Sequence, residues 1–141
     1  MEKELKRTII LEHYQNPKNR GLLNKSDYEK INTNSKSCID QIDLEIKVDN
    51  GKVKDIRFDG EACAICTSST SIMIDTLIGK KVSDALNIID NYEKMINEEE
   101  YDESILEQAV VYDDISKQPN RKNCALLTWM GAKQVLNKSK K

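Results

Sequence analysis

The stretch Gln41-Ile-Asp-Leu-Glu-Ile-Lys-Val48, with the Asp49-Asn50-Gly51 that follows it, decides the fold. Apolar and polar residues alternate without a break, Ile42, Leu44, Ile46 and Val48 on one face and Gln41, Asp43, Glu45 and Lys47 on the other. This period of two belongs to a strand with one buried face. Asp49-Asn50-Gly51 supplies the residues that tolerate the left-handed backbone of a tight hairpin turn, and Ile56 and Phe58 resume the alternation on the returning strand. A two-stranded ribbon is marginal alone, so it must pack on helices or on a third strand, for which Tyr28 to Asn34 is the candidate.

Outward from the ribbon the period changes to that of helices. Glu2 to His13 places Leu5, Ile9, Ile10 and Tyr14 on one stripe and ends at Asn16-Pro17. On the other side, Thr67 to Ile78 is a Ser- and Thr-rich helix closed by Gly79, its small residues letting it approach the sheet. Ser83 is the expected N-cap of a helix whose Ala85, Ile88, Ile89, Tyr92, Met95 and Ile96 should pack on the ribbon. The acidic run Asn97 to Glu103 reads as a solvated connection, and a short helix is expected over Ser104 to Tyr112. Asn120 is the expected cap of a last helix with Ala125, Trp129, Ala132 and Leu136 on one stripe and a basic tail from Lys138. The class is α+β, a small antiparallel sheet packed against helices, and the 141 residues (1–141) form a single domain.

Composition narrows the function. Charged residues make up 33% and hydrophobic residues 38% of the chain, enough to fold with a highly charged surface. With 22 Lys and Arg against 24 Asp and Glu, the net charge of -2 provides no field to hold a nucleic-acid backbone. No apolar stretch approaches the roughly 20 residues of a membrane span, and the start is charged from Glu2, so a cytoplasmic protein away from membranes is expected. In that compartment Cys38, Cys63, Cys66 and Cys124 are metal ligands or reactive thiols rather than disulfides.

Three of these cysteines fall at the ends of expected elements: Cys38 before the first hairpin strand, Cys63 after the hairpin, Cys124 near the start of the last helix. Thiols at such junctions can converge on one ion, and helix N-terminal dipoles at Cys63 and Cys124 favour thiolate. Asp40 adds a carboxylate, completing a Cys₃Asp set of tetrahedral number for zinc. Spacings of 25 and 61 residues are too wide for a zinc-finger knuckle. Three thiolates and a carboxylate around a divalent ion leave an excess of about two negative charges, which Arg121 and Lys122 stand near enough in sequence to offset. Cys63-Ala-Ile-Cys66 is also a C-x-x-C pair, either a redox dithiol or half of a Cys₄ site. It lacks a βαβ context, and Cys66 reads as a small buried residue of the following helix. His13 is read as structural or exposed, and the hydroxyl run Thr67 to Ser71 lacks the glycines and lysine of a phosphate loop.

Four segments together resemble a known family: Ile10-Leu-Glu-His-Tyr-Gln-Asn-Pro-Lys-Asn-Arg-Gly21, Cys38-Ile-Asp40, Phe58-Asp-Gly-Glu-Ala-Cys63 and Arg121-Lys-Asn-Cys124-Ala-Leu-Leu-Thr-Trp129. In this order, over nearly the whole chain, they are similar to the SufU/IscU/NifU-type iron–sulfur assembly proteins. The long segment between Cys63 and Cys124, Arg121 three residues before Cys124 with no histidine directly ahead of it, and the absence of a Leu-Pro-Pro-Val-Lys motif resemble the SufU branch. The resemblance implies a SufE/NifU-like α+β fold and a metal site of Cys38, Asp40, Cys63 and Cys124 holding zinc. It implies a sulfurtransferase-like relay that takes persulfide sulfur from a pyridoxal-phosphate cysteine desulfurase and passes it to a downstream iron–sulfur scaffold or apo-proteins.

Within that reading Cys38, on a connection and beside the exchangeable ligand Asp40, is the expected sulfur-carrying thiol, and Arg121 the expected partner contact. Two alternatives use the same residues: a scaffold that holds iron or an iron–sulfur cluster, and a zinc-stabilised interaction module. The chain departs from the family pattern at Ile39 and Ala62, where glycine is usual, and at Cys66, where serine is usual.

Overall fold

The alternating stretch forms the central strand of a three-stranded antiparallel sheet. The structure is a computed structural model that describes residues 1–34 and 40–139. In chain order the elements are α1 (Lys3–Gln15), β1 (Glu29–Asn34), β2 (Gln41–Asp49), β3 (Lys52–Glu61), α2 (Ala64–Leu77), α3 (Val82–Ile96) and α4 (Pro119–Ser139), with 3₁₀ turns at Glu103–Ile105, Glu107–Tyr112 and Ile115–Lys117 before α4. The sheet order is β1-β2-β3. Asp49 pairs with Lys52 across a turn in which Asn50 (φ 52) and Gly51 (φ 73) are both left-handed, the geometry that matches the twist of a hairpin. The third strand lies where Tyr28 to Asn34 placed it, β1 starting at Glu29.

Ile42, Leu44 and Ile46 of β2 point into the core with Ile56 and Phe58 of β3. The opposite face is not simply solvated. Residues 19–21 pair along the free edge of β3, where Arg20 and Phe58 form a parallel bridge, with the Gly21 N–H bonded to the Phe58 carbonyl at 2.7 Å and the Asn19 carbonyl receiving the Phe58 N–H at 3.2 Å. From that edge the chain reaches over the face to β2 through Leu23 and Asn24. Glu45, expected on the wet face, is only 1% exposed. Its carboxylate accepts the Leu23 and Asn24 N–H groups at 2.7 and 2.8 Å, which satisfies a buried charge through its acceptor oxygens.

Helix α2 runs through the middle of the molecule, packed on α1, on α4 and on the Glu107–Tyr112 turn. It starts at Ala64, three residues before the expected Thr67, and is buried from Cys66 to Ile74. Its hydroxyls are satisfied locally or by neighbours: Ser68 and Thr70 donate to the carbonyls of Ala64 and Cys66, and Ser69 donates to the Ala125 carbonyl while accepting from the Trp129 indole. They tie helices together rather than thin the helix for the sheet. The close helix-to-sheet approach is made instead by Gly131 of α4, where a Cβ would lie 2.5 Å from Thr33 Cγ2.

Other expectations are corrected by packing. In α1 the buried side is Ile9, Ile10 and His13, whereas Leu5 and Tyr14 are 50% and 45% exposed. His13 is structural, its ring nitrogens 2.7 Å from Ser71 Oγ and 2.9 Å from Gln108 Oε1. Helix α3 packs chiefly on α4 and only lightly on β3, and it begins at Val82 with Lys81 in the N-cap position rather than Ser83. The expected short helix over Ser104 to Tyr112 is a pair of 3₁₀ turns. Helix α4 begins at Pro119, a residue suited to the first helical position, so Asn120 lies inside it. Its stripe Ala125, Trp129, Ala132 and Leu136 is buried as expected, and Trp129 stacks on Tyr92 at 3.8 Å between ring centroids. Among the described residues no helix is long and apolar enough to cross a membrane.

Candidate metal centre

Three elements meet at one end of the sheet, and each brings a donor. Asp40 directly precedes β2, Cys63 follows β3 and caps α2, and Cys124 sits in the second turn of α4. One ligand atom from each lies within 4.8 Å of the others. Asp40 is 1% and Cys124 4% exposed, while Cys63 is half-buried, so the cluster has a protected floor and an accessible side. Two sulfurs and a carboxylate oxygen, gathered in this way, are donors of the type and number that fit zinc with a further ligand to come.

The site is built by its own backbone. Asp40 Oδ1 accepts the Cys63 N–H at 2.6 Å, which locks the approach to β2 onto the exit of β3, and Oδ2 is 3.6 Å from Cys63 Sγ. Cys63 Sγ also accepts the Cys66 N–H at 3.4 Å, as an N-cap side chain does. Cys124 Sγ lies 3.8 Å from the Asn120 carbonyl one turn earlier. Since the influence of a helix end fades within its first turn, α4 acts on Cys124 less than the sequence alone implied.

Behind the cluster, Tyr112 shares a hydrogen bond with Ser68 Oγ. Burial pushes the Tyr112 hydroxyl well above its usual pKa, and the neighbouring Cys66 and Cys63 sulfurs push it further, so it stays a neutral donor beside the thiols.

Asp40, Cys63 and Cys124 are thus brought together as the sequence placed them. Cys38 and Ile39 lie outside the described residues. Cys66 is fully buried in the first turn of α2, and Arg121 is exposed one turn ahead of Cys124. The alanine at position 62 is absent from the residues with positive φ, so the glycine usual there in the resembled family meets no backbone need here. Sequence reasoning missed Gly60. Its φ of +140 and the 2.1 Å from a built Cβ to the Gln41 carbonyl make it the point where β2 and β3 close beside the site.

A family model described as NifU-like N terminal domain matches residues 5–125. The zinc-dependent sulfurtransferase SufU of Bacillus subtilis (strain 168) is 38% identical over 126 residues, covering 89% of this chain and 84% of that protein. The iron–sulfur cluster assembly scaffold protein IscU of Thermotoga maritima is 36% identical over 129 residues, covering 92% and 90%. Among solved structures, FiSufU of Fervidobacterium islandicum AW-1 superposes with a TM-score of 0.79 at 32% identity, over 86% of this chain and 89% of that one.

Proposed function

The chain belongs to the NifU-like N-terminal domain family, and we propose that it serves iron–sulfur cluster assembly as a zinc-dependent sulfur acceptor of the SufU kind. The observation that carries this reading is the convergence of Asp40, Cys63 and Cys124 within 4.8 Å from three separate elements. Cys38, two residues before Asp40, is the fourth ligand of the set and the thiol that receives sulfur. Zinc, when bound, keeps thiols deprotonated near neutral pH, where a free thiol of pKa about 8.5 is mostly protonated.

The residues divide the work. Cys63 and Cys124 are anchored in or at helices, and Asp40 is held by the Cys63 N–H, so these three form the fixed part of the site. Asp40 is a harder donor than thiolate and the more readily exchanged one. The Cys38 thiolate attacks the outer sulfur of a cysteine persulfide on a pyridoxal-phosphate cysteine desulfurase. The sulfur–sulfur bond to the desulfurase breaks, its cysteine leaves as thiolate, and the persulfide now rests on Cys38. The sulfur then passes to a downstream iron–sulfur scaffold or apo-protein.

Protein purified without added iron is expected to be colourless, to carry one zinc, and to stimulate a desulfurase. A brown protein whose colour is lost with the same ligands would favour the scaffold reading that the name of the IscU relative carries. Cys38→Ala is expected to abolish sulfur acceptance while part of the metal remains. Peptide mass spectrometry of the trapped persulfide decides the point: sulfur on Cys63, Cys66 or Cys124 but never on Cys38 overturns the assignment.

Arg121 is exposed beside a site of excess negative charge, placed to meet acidic or carbonyl groups of a partner. Arg121→Ala is expected to weaken desulfurase stimulation more than it lowers zinc content, by about 1–3 kcal/mol of binding for a charge-assisted contact. Stimulation curves unchanged across desulfurase concentration would exclude that role.

A further inference from the structure

Cys63 and Cys66 open α2 together. Cys63 is the N-cap, with extended backbone (φ -67, ψ 168), and Cys66 closes the first turn with its N–H directed at the Cys63 sulfur, 3.4 Å away. Cys63 is half-buried and Cys66 fully buried, an accessible thiol backed by a protected one. The strand β3 leads into the pair and the helix leaves from it, so the local order of strand, thiol turn and helix is present although the sheet is antiparallel. Residues three apart on a helix hold their Cβ atoms about 5–6 Å apart, against about 3.8 Å in a disulfide. Cys63 stands outside the helical backbone, and its rotation there can close that difference.

We propose that Cys63 and Cys66 are a redox-active dithiol, which a low-molecular-weight disulfide converts into an intramolecular disulfide, withdrawing Cys63 from the metal-binding set. The accessible Cys63 thiolate attacks one sulfur of the incoming disulfide and expels the other as thiolate, leaving a mixed disulfide on Cys63. Cys66 then attacks the Cys63 sulfur and expels the second small thiol. Two protein thiols are oxidised by two electrons, one small disulfide is reduced to two thiols, and both protons end on the released thiols. Cys66 is the resolving thiol and need not be a ligand. The dithiol stands on the local geometry of α2 and holds whichever metal occupies the site.

The test uses the full-length protein as purified. After incubation with oxidised glutathione and alkylation, trypsin releases Phe58–Lys80, which contains Cys63 and Cys66 and no other cysteine. The expected result is this fragment lighter by two hydrogens and unalkylated, with bound metal released in step to a chromogenic chelator. The Cys66→Ser variant is expected to stop at a glutathione adduct on Cys63. A fragment joining Cys63 to Cys38 or Cys124 overturns the proposal. So does a Cys66 that is fully alkylated after Cys63 has reacted, or a pair that glutathione disulfide leaves untouched.

Discussion

Gly60→Ala is expected to cost about 2–4 kcal/mol of stability and to strip the site of metal. Gly60 holds φ +140, a backbone conformation that side chains rarely adopt, and a Cβ built there meets the Gln41 carbonyl oxygen at 2.1 Å and Ile42 Cα at 2.9 Å. These are backbone atoms of the paired strand and cannot rotate aside, so relief requires β2 and β3 to part at Ile42 and Gly60. Gln41 is the neighbour of Asp40, and Gly60 is three residues from Cys63. Parting the strands therefore breaks the 2.6 Å bond between Asp40 and the Cys63 N–H that holds two donors in register. Gly51→Ala is the control: φ there is +73 with nothing within 4 Å of a built Cβ, so only a left-handed backbone penalty of about 1 kcal/mol applies. Urea denaturation with zinc stoichiometry should separate the two, and a Gly60→Ala protein with wild-type stability and full metal would refute the argument.

What the sequence disclosed depended on whether a local rule was enough. The hairpin was legible because alternation and Asp49-Asn50-Gly51 are local signals, and the structure places both strands and the turn accordingly. The convergence of Asp40, Cys63 and Cys124 was legible because donors at element ends have few other uses. Partners were not legible. Periodicity says that a helix has an apolar face, not what covers it, so it points α3 at the ribbon, whereas α3 packs chiefly on α4 and only lightly on β3. Alternation puts Glu45 in water because nothing in β2 shows that Leu23 and Asn24 reach over it. The start of α2 lies before the expected Thr67 because cysteine is an uncommon N-cap. Yet Cys63 accepts the Cys66 N–H as serine would, and the C-x-x-C spacing was the signal that could have placed it.

Cys63→Ser and Cys124→Ser are each expected to lose most bound metal, and their metal-free forms are expected to differ. A serine hydroxyl stays neutral at pH 7 and is a poor zinc donor, so either change removes one of the anionic ligands proposed for the site. Metal that binds only the folded chain stabilises it by RT ln(1 + [L]/Kd), about 2.7 kcal/mol when free zinc is a hundredfold above Kd. Wild-type protein should therefore melt higher with zinc than with chelator, and both variants should lose most of that difference. At position 63 serine is a favoured N-cap, able to accept the same N–H that Cys63 accepts at 3.4 Å, so the chelated variant should be as stable as chelated wild type. At position 124 the side chain is 4% exposed, and the smaller serine leaves space in the core even though its hydroxyl can donate to the Asn120 carbonyl as the thiol does. Chelated Cys124→Ser should therefore be about 1–2 kcal/mol less stable than chelated wild type. Thermal melts of the three proteins with zinc and with chelator measure both quantities. A zinc-induced rise in either variant equal to that of wild type would remove that cysteine from the ligand set.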